Sequence, residues 1–150
     1  MTAQSSTCSH EGYLKGLLSA LNLDRLSFIE AETRVPSFEV HRVIPDAIFG
    51  VDWVVELEAR TTKQVRGVIT DLMIHPRRKK MLIVLVEPTL SSSRTAQSVE
   101  AHLYQVVSRL GLNLDDWCII GLSRNQARDE HLSILEERFI KAGILLEVAC

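Results

Sequence analysis

The residues best suited to chemistry stand close together in "IPDAIFGVDWVVELEAR", Ile44 to Arg60. Asp46, Glu56 and Glu58 interrupt a segment that otherwise reads as buried sheet. Glu56 and Glu58 are two apart, so on a strand they leave the same face, about 7 Å from one another. A hairpin about a turn near Gly50–Asp52 would bring Asp46 beside that pair. Unpaired carboxylates at such range repel. The repulsion is relieved if some of the acids are neutral, if a cation sits among them, or if the face is open to water. Hard oxygen ligands at this spacing suit Mg2+ or Mn2+. Such an ion lowers the pKa of a water and polarises a phosphate oxygen. The plain alternative is a wet sheet face, with Asp52, Glu56 and Glu58 pointing at solvent.

The elements that must hold these groups are read from period. Tyr13, Leu14, Leu17, Leu18 and Leu21 recur at helical spacing and predict a helix over 11–21. The polar residues 1–10 before it are expected to be disordered. Alternation in "LSFIEAETRV" predicts a first strand, and "EVHRVIPDAIFG" a second that ends at Gly50. Pro45 marks an edge or an irregular spot in it, since proline cannot donate to the ladder. "VDWVVELEA" is a third strand, with Val51, Trp53, Val55 and Leu57 on one face. Short connections predict an antiparallel meander of the three. Val65, Val68, Ile69, Leu72 and Met73 then form a helix stripe, capped by Thr61 or Thr62 and stopped before Pro76.

"MLIVLV" is a continuous apolar run, as expected of a strand buried on both faces. A helix over 96–112 with its stop at Gly111, a strand "DWCIIGLS", a helix ending at Gly143 and a last short strand "ILLEVA" complete the chain. The expectation is one α/β domain over 11–150. Its mixed sheet would begin with a three-strand antiparallel meander and continue in βαβ units.

Bulk properties narrow the function classes. The chain has 150 residues, 46% of them hydrophobic and 24% charged, with a net charge of −2. That suits one globular domain with a real core. It excludes a globally basic nucleic-acid binder, though not a local basic patch. Arg77, Arg78, Lys79 and Lys80 form such a run. With Arg60, Lys63 and Arg66 they could line a groove and meet phosphates, or they could form only a solvated turn. Cys8, Cys118 and Cys150 are odd in number and widely spaced, so neither a zinc site nor a disulfide framework is indicated. A reducing, cytoplasmic compartment is expected.

The start of the chain lacks the pattern of a signal peptide. No apolar run approaches the roughly 20 residues that span a bilayer, so no membrane partner is expected. The five histidines show no HxH or HxxxH spacing. "TLSSSRT" is not GxxxxGK[ST], so no nucleotide cofactor is expected. Trp53 and Trp117 are expected as core or interface anchors. The apolar faces of the last two helices are core, or equally a homodimer surface.

Pro45-Asp46, a turn, and Glu56-Leu57-Glu58 at a strand end, followed by a helix and a buried strand, together resemble the PD-(D/E)XK nuclease superfamily. The core of that family is a helix, a three-strand meander, a helix and a further strand, and the resemblance covers roughly Glu11 to Val86. It implies a restriction-endonuclease-like core in which Asp46 and Glu56 hold Mg2+ or Mn2+ and the chain hydrolyses DNA phosphodiester bonds. The family's lysine, two residues after the glutamate, helps orient the attacking water. Here that position is Glu58, and "VELEA" is similar to the family's E-x-E variant. Glu58 can assist metal binding but cannot supply positive charge. Lys63, or Arg66, on the following helix is the candidate replacement, and Gln64 resembles a glutamine that some members place beside the metal.

The family often adds an acid from before the meander. Glu32 is the candidate third ligand, with Glu30 and Glu11 as alternates. The implied partner is DNA, and nucleases acting on two strands often work as homodimers. Two other readings stay open. One is a non-catalytic nucleic-acid-binding or assembly subunit, favoured by the missing lysine and the acidic net charge. The other is an interaction protein with a solvated acidic strand face.

Overall fold

The computed structural model describes residues 3–21, 23, 26–28, 46–50, 52–59, 62–88 and 95–145. Among them lie five strands: β1 (Leu26–Phe28), β2 (Ala47–Phe49), β3 (Trp53–Glu58), β4 (Lys79–Val86) and β5 (Trp117–Ser123). The helices are α1 (Ala3–Ala20), α2 (Thr62–Ile74), α3 (Ala96–Arg109) and α4 (Arg128–Lys141). The strands lie side by side in chain order. β1 and β2, and β2 and β3, pair antiparallel. β3 and β4, and β4 and β5, pair parallel. The chain is thus α/β with a mixed sheet, as its periods predict.

Strand alternation sorts the core into two layers. On one face α1 and α4 bring Leu14, Leu17, Leu18, Leu135 and Phe139 against Val55, Leu57, Met81 and Ile83. On the other, α2 and α3 bring Val65, Ile69, Leu72 and Leu103 against Val54, Leu82, Val84 and Ile119. Trp53 belongs to the first layer and Trp117 to the second, both buried. β4 is buried from Lys80 to Val86 because helices cover it on both sides. α3 starts at a reciprocal cap: the Thr95 hydroxyl accepts from Ser98 N, and Ser98 Oγ accepts from Thr95 N.

The structure differs from the expected pattern in three places. α1 begins at Ala3 rather than Glu11. Its first turns are polar and carry no apolar stripe, so periodicity could not detect a helix continued backward from the packed end. The three antiparallel strands pair over shorter ladders than the alternation predicts, β1 and β2 being three residues each. β2 starts at Ala47, and residues 29–45, which hold the rest of the first two expected strands, lie outside the described residues. Ile144 and Leu145 do not open a strand. Their amides donate to Phe139 O and close off α4, while 146–150 lie outside the described residues. No described helix is long and apolar enough to cross a membrane.

Candidate functional site

The β2–β3 hairpin builds the site. Gly50 turns the chain at φ 57°, a left-handed conformation that suits a residue without Cβ. Arg77 clasps this turn from outside the hairpin: its Nη1 donates to Gly50 O at 2.6 Å and to Trp53 O at 3.2 Å. Phe49 pairs with Trp53, Ile48 with Val54 and Ala47 with Val55. One step further along this register, Asp46 stands against Glu56. Beyond Asp46 the ladder stops, and the Asp46 side chain takes over the bonding, its Oδ2 accepting from Leu57 N at 2.8 Å. The expected meeting of Asp46 and Glu56 is therefore present, fixed by a backbone bond as well as by register.

The face that carries Glu56 is not wet. Val54 is 0% exposed and Glu58 3%, because α2 covers this side of β3. Glu56 itself is half-buried. Burial pushes its carboxyl up to about 9, helped by the charge of Asp46 and a hydrogen bond to it, then by the charges of Asp71 and Glu58. At neutral pH Glu56 is thus protonated and donates to the Asp46 carboxylate. Of the three ways to relieve crowded carboxylates, the raised pKa of Glu56 favours neutralisation. Glu58 sits at the end of β3 with Oε1 accepting from Ala59 N at 3.0 Å.

Asp71 escaped the sequence reading. It sits on the exposed side of α2, three residues past the buried Val68. Its neighbour across space is Glu56, and only the docking of α2 over β3 reveals that. Among the described residues, no group of three or more His, Cys, Asp or Glu is arranged to hold a metal ion. The Asp46–Glu56 pair does not fit zinc or calcium, which need fuller protein cages. It does fit Mg2+ or Mn2+, which keep several waters and use one or two carboxylates together with phosphate oxygens. Glu32, Glu30 and Arg60 lie outside the described residues. Lys63, Gln64 and Arg66 belong to α2, and Glu11 to α1, with their side chains outside what is described.

The basic run is divided rather than gathered. Arg77 is committed to the hairpin turn. Arg78 pairs with Asp116 at 3.4 Å. The Lys79 ammonium lies 5.4 Å from the centre of the Trp53 ring, on the α1/α4 face and so opposite Glu56. Lys80 is buried and donates to His75 O just past the end of α2, and burial lowers its pKa. In place of these residues, Arg124 carries positive charge to the carboxyl end of β3. It follows β5, its Nη2 donates to Ala59 O at 3.3 Å, and its Nε lies 3.4 Å from Glu87 Oε2. No spacing in the sequence links Arg124 to β3, because the link is made across the end of β4.

A separate polar chain ties α1 to α4. His131 Nε2 donates to Ser123 O at 2.6 Å, so in the neutral ring Nδ1 is the acceptor for the Tyr13 hydroxyl, also at 2.6 Å. Compared with known proteins, the chain matches no family model, no curated protein and no solved structure.

Proposed function

We propose that the chain is a metal-dependent nuclease of the PD-(D/E)XK kind that hydrolyses DNA phosphodiester bonds, with Asp46 and Glu56 as the protein ligands of Mg2+ or Mn2+. The observation that carries this reading is the Asp46–Glu56 pair. Two carboxyls face each other across a hairpin, half-buried, holding one proton where a small hard cation would fit. The order α1, β1, β2, β3, α2, β4 follows the element order of a restriction-endonuclease-like core and supports the same reading. The bound ion would lower the pKa of a water and polarise a phosphate oxygen.

The chain's own groups do the rest. Leu57 N–H fixes the Asp46 carboxylate, leaving its other oxygen for the ion. Glu56 gives up its proton to become a ligand. Glu58, behind it, adds negative charge that strengthens the pull on a cation. The positive charge that the motif lysine would bring falls to Lys63 or to Arg124 near Ala59. On this reading the partner is duplex or branched DNA in the cytoplasm, met by a homodimer that presents one site to each strand.

The test is cleavage of mixed single-stranded, duplex and branched DNA in Mn2+ by wild type and by Glu56→Ala. Wild type is expected to cut and the variant to be slower by about a hundredfold or more. Equal cutting by both would remove the site. The missing lysine favours a second reading, a non-catalytic DNA-binding or assembly subunit. It would be preferred if neither protein cuts and both still bind DNA in chelator.

A further inference from the structure

Among the described residues β5 is an edge of the sheet, hydrogen-bonded to β4 alone. An edge strand normally presents a row of open N–H and C=O groups, which invites another strand. On β5 the residues that face away from β4 are 119, 121 and 123, since Arg124 N points back to Val86 O. Five of the six backbone groups of these three residues are taken by side chains. Ile119 N donates to the Tyr104 hydroxyl at 2.9 Å, and Ile119 O accepts from Arg138 Nη2 at 2.8 Å. Gly121 N donates to Glu100 Oε2 at 3.0 Å. Ser123 N donates to Gln126 Oε1 at 3.1 Å, and Ser123 O accepts from His131 Nε2.

The side chains come from both layers. Glu100 and Tyr104 lie on α3, which packs on one face of the sheet, and Arg138 and His131 on α4, which packs on the other. Glu100 and Arg138 meet at 2.5 Å, closing the two layers around the edge. We propose that this clasp exists to shut the β5 edge against strand addition, and that the strand it excludes is β5 of a second copy. "WCIIGLS" explains the choice of partner. It is uncharged, largely apolar and buried along its length, the kind of segment that pairs with itself when its edge is open. This inference does not depend on the proposed nuclease activity.

Amide hydrogen exchange and sedimentation velocity test it. In wild type the Ile119 and Gly121 amides are expected to exchange as slowly as interior amides of β4. Tyr104→Phe removes one oxygen and keeps the ring, and should speed Ile119 alone, by about fivefold to tenfold. Glu100→Ala should do the same to Gly121. The double variant, at rising concentration, should sediment progressively faster than wild type and regain protection at Ile119. Fast exchange of Ile119 and Gly121 in wild type would overturn the proposal. So would a double variant with native near-UV circular dichroism that sediments as wild type does at every concentration. If the double variant does not fold, the exchange pattern and sedimentation of Tyr104→Phe decide in the same way.

Discussion

At the residue scale the central feature is the raised pKa of Glu56. Its folded-state pKa of about 9 lies above the ordinary 4.5. Between those values the folded chain binds a proton that the unfolded chain has lost. The stabilisation is full below about 4.5, declines as pH rises, and is gone above about 9. Cation-free protein should therefore melt several degrees lower at pH 9 than at pH 5, since about 1 kcal/mol moves Tm by ~2–4 °C at this size. Glu56→Gln keeps the hydrogen bond to Asp46 without the proton and should flatten this slope. His75 acts on the other side: burial, Lys80 and Arg77 lower its pKa, so its contribution is lost as pH falls. Melting curves of both proteins in chelator at pH 5, 7 and 9 isolate Glu56. Parallel slopes would mean that Glu56 is already ionised. The Asp46–Glu56 meeting was legible because a hairpin register follows from two alternating strands and a glycine turn. The part played by Asp71 was not, because a helix period tells which stripe is buried but not which strand lies beneath its flank.

At the scale of elements, α2, β4, α3, β5 and α4 could be read from the sequence, since each has an unbroken period and a clear stop. β1 and β2 could be read as strands but not in their bounds, because alternation in 26–49 runs past the described ladders into residues outside the described set. The docking of α3 on β5 was also hidden, and it rests on Gly121. A Cβ at that position would meet Ala96 O at 2.4 Å, in the first turn of α3. That oxygen is backbone, held in the start of a capped helix, and cannot rotate away. Gly121→Ala should therefore push α3 off β5 and cost about 1–3 kcal/mol, read as a lower midpoint in urea with an unchanged slope. An unaffected midpoint would mean that α3 sits more loosely on the sheet than this contact implies.

At the scale of the whole molecule, the distribution of charge decides how DNA could be met. The net charge is −2, and the basic run does not offset it near the acidic pair. Arg77 and Lys80 spend their donors on backbone carbonyls, and Lys79 lies on the face opposite Glu56. The acids around the pair, Asp46, Asp71 and Glu58, repel a phosphate, and a divalent ion held by Asp46 and Glu56 would bridge them to it. If the chain is a nuclease of the proposed kind, its DNA affinity should collapse in chelator at constant ionic strength. Replacing Arg78 and Lys79 by Ser should then change the slope of log affinity against log salt by much less than the ~0.9 expected per phosphate contact. If the chain is a non-catalytic DNA-binding subunit that uses this run, binding should survive chelator, and the double replacement should lower the slope by about two contacts' worth. Fluorescence anisotropy of a labelled duplex between about 50 and 200 mM salt measures both quantities. The two readings predict opposite pairs of results, so the assay separates them even where no cleavage is seen.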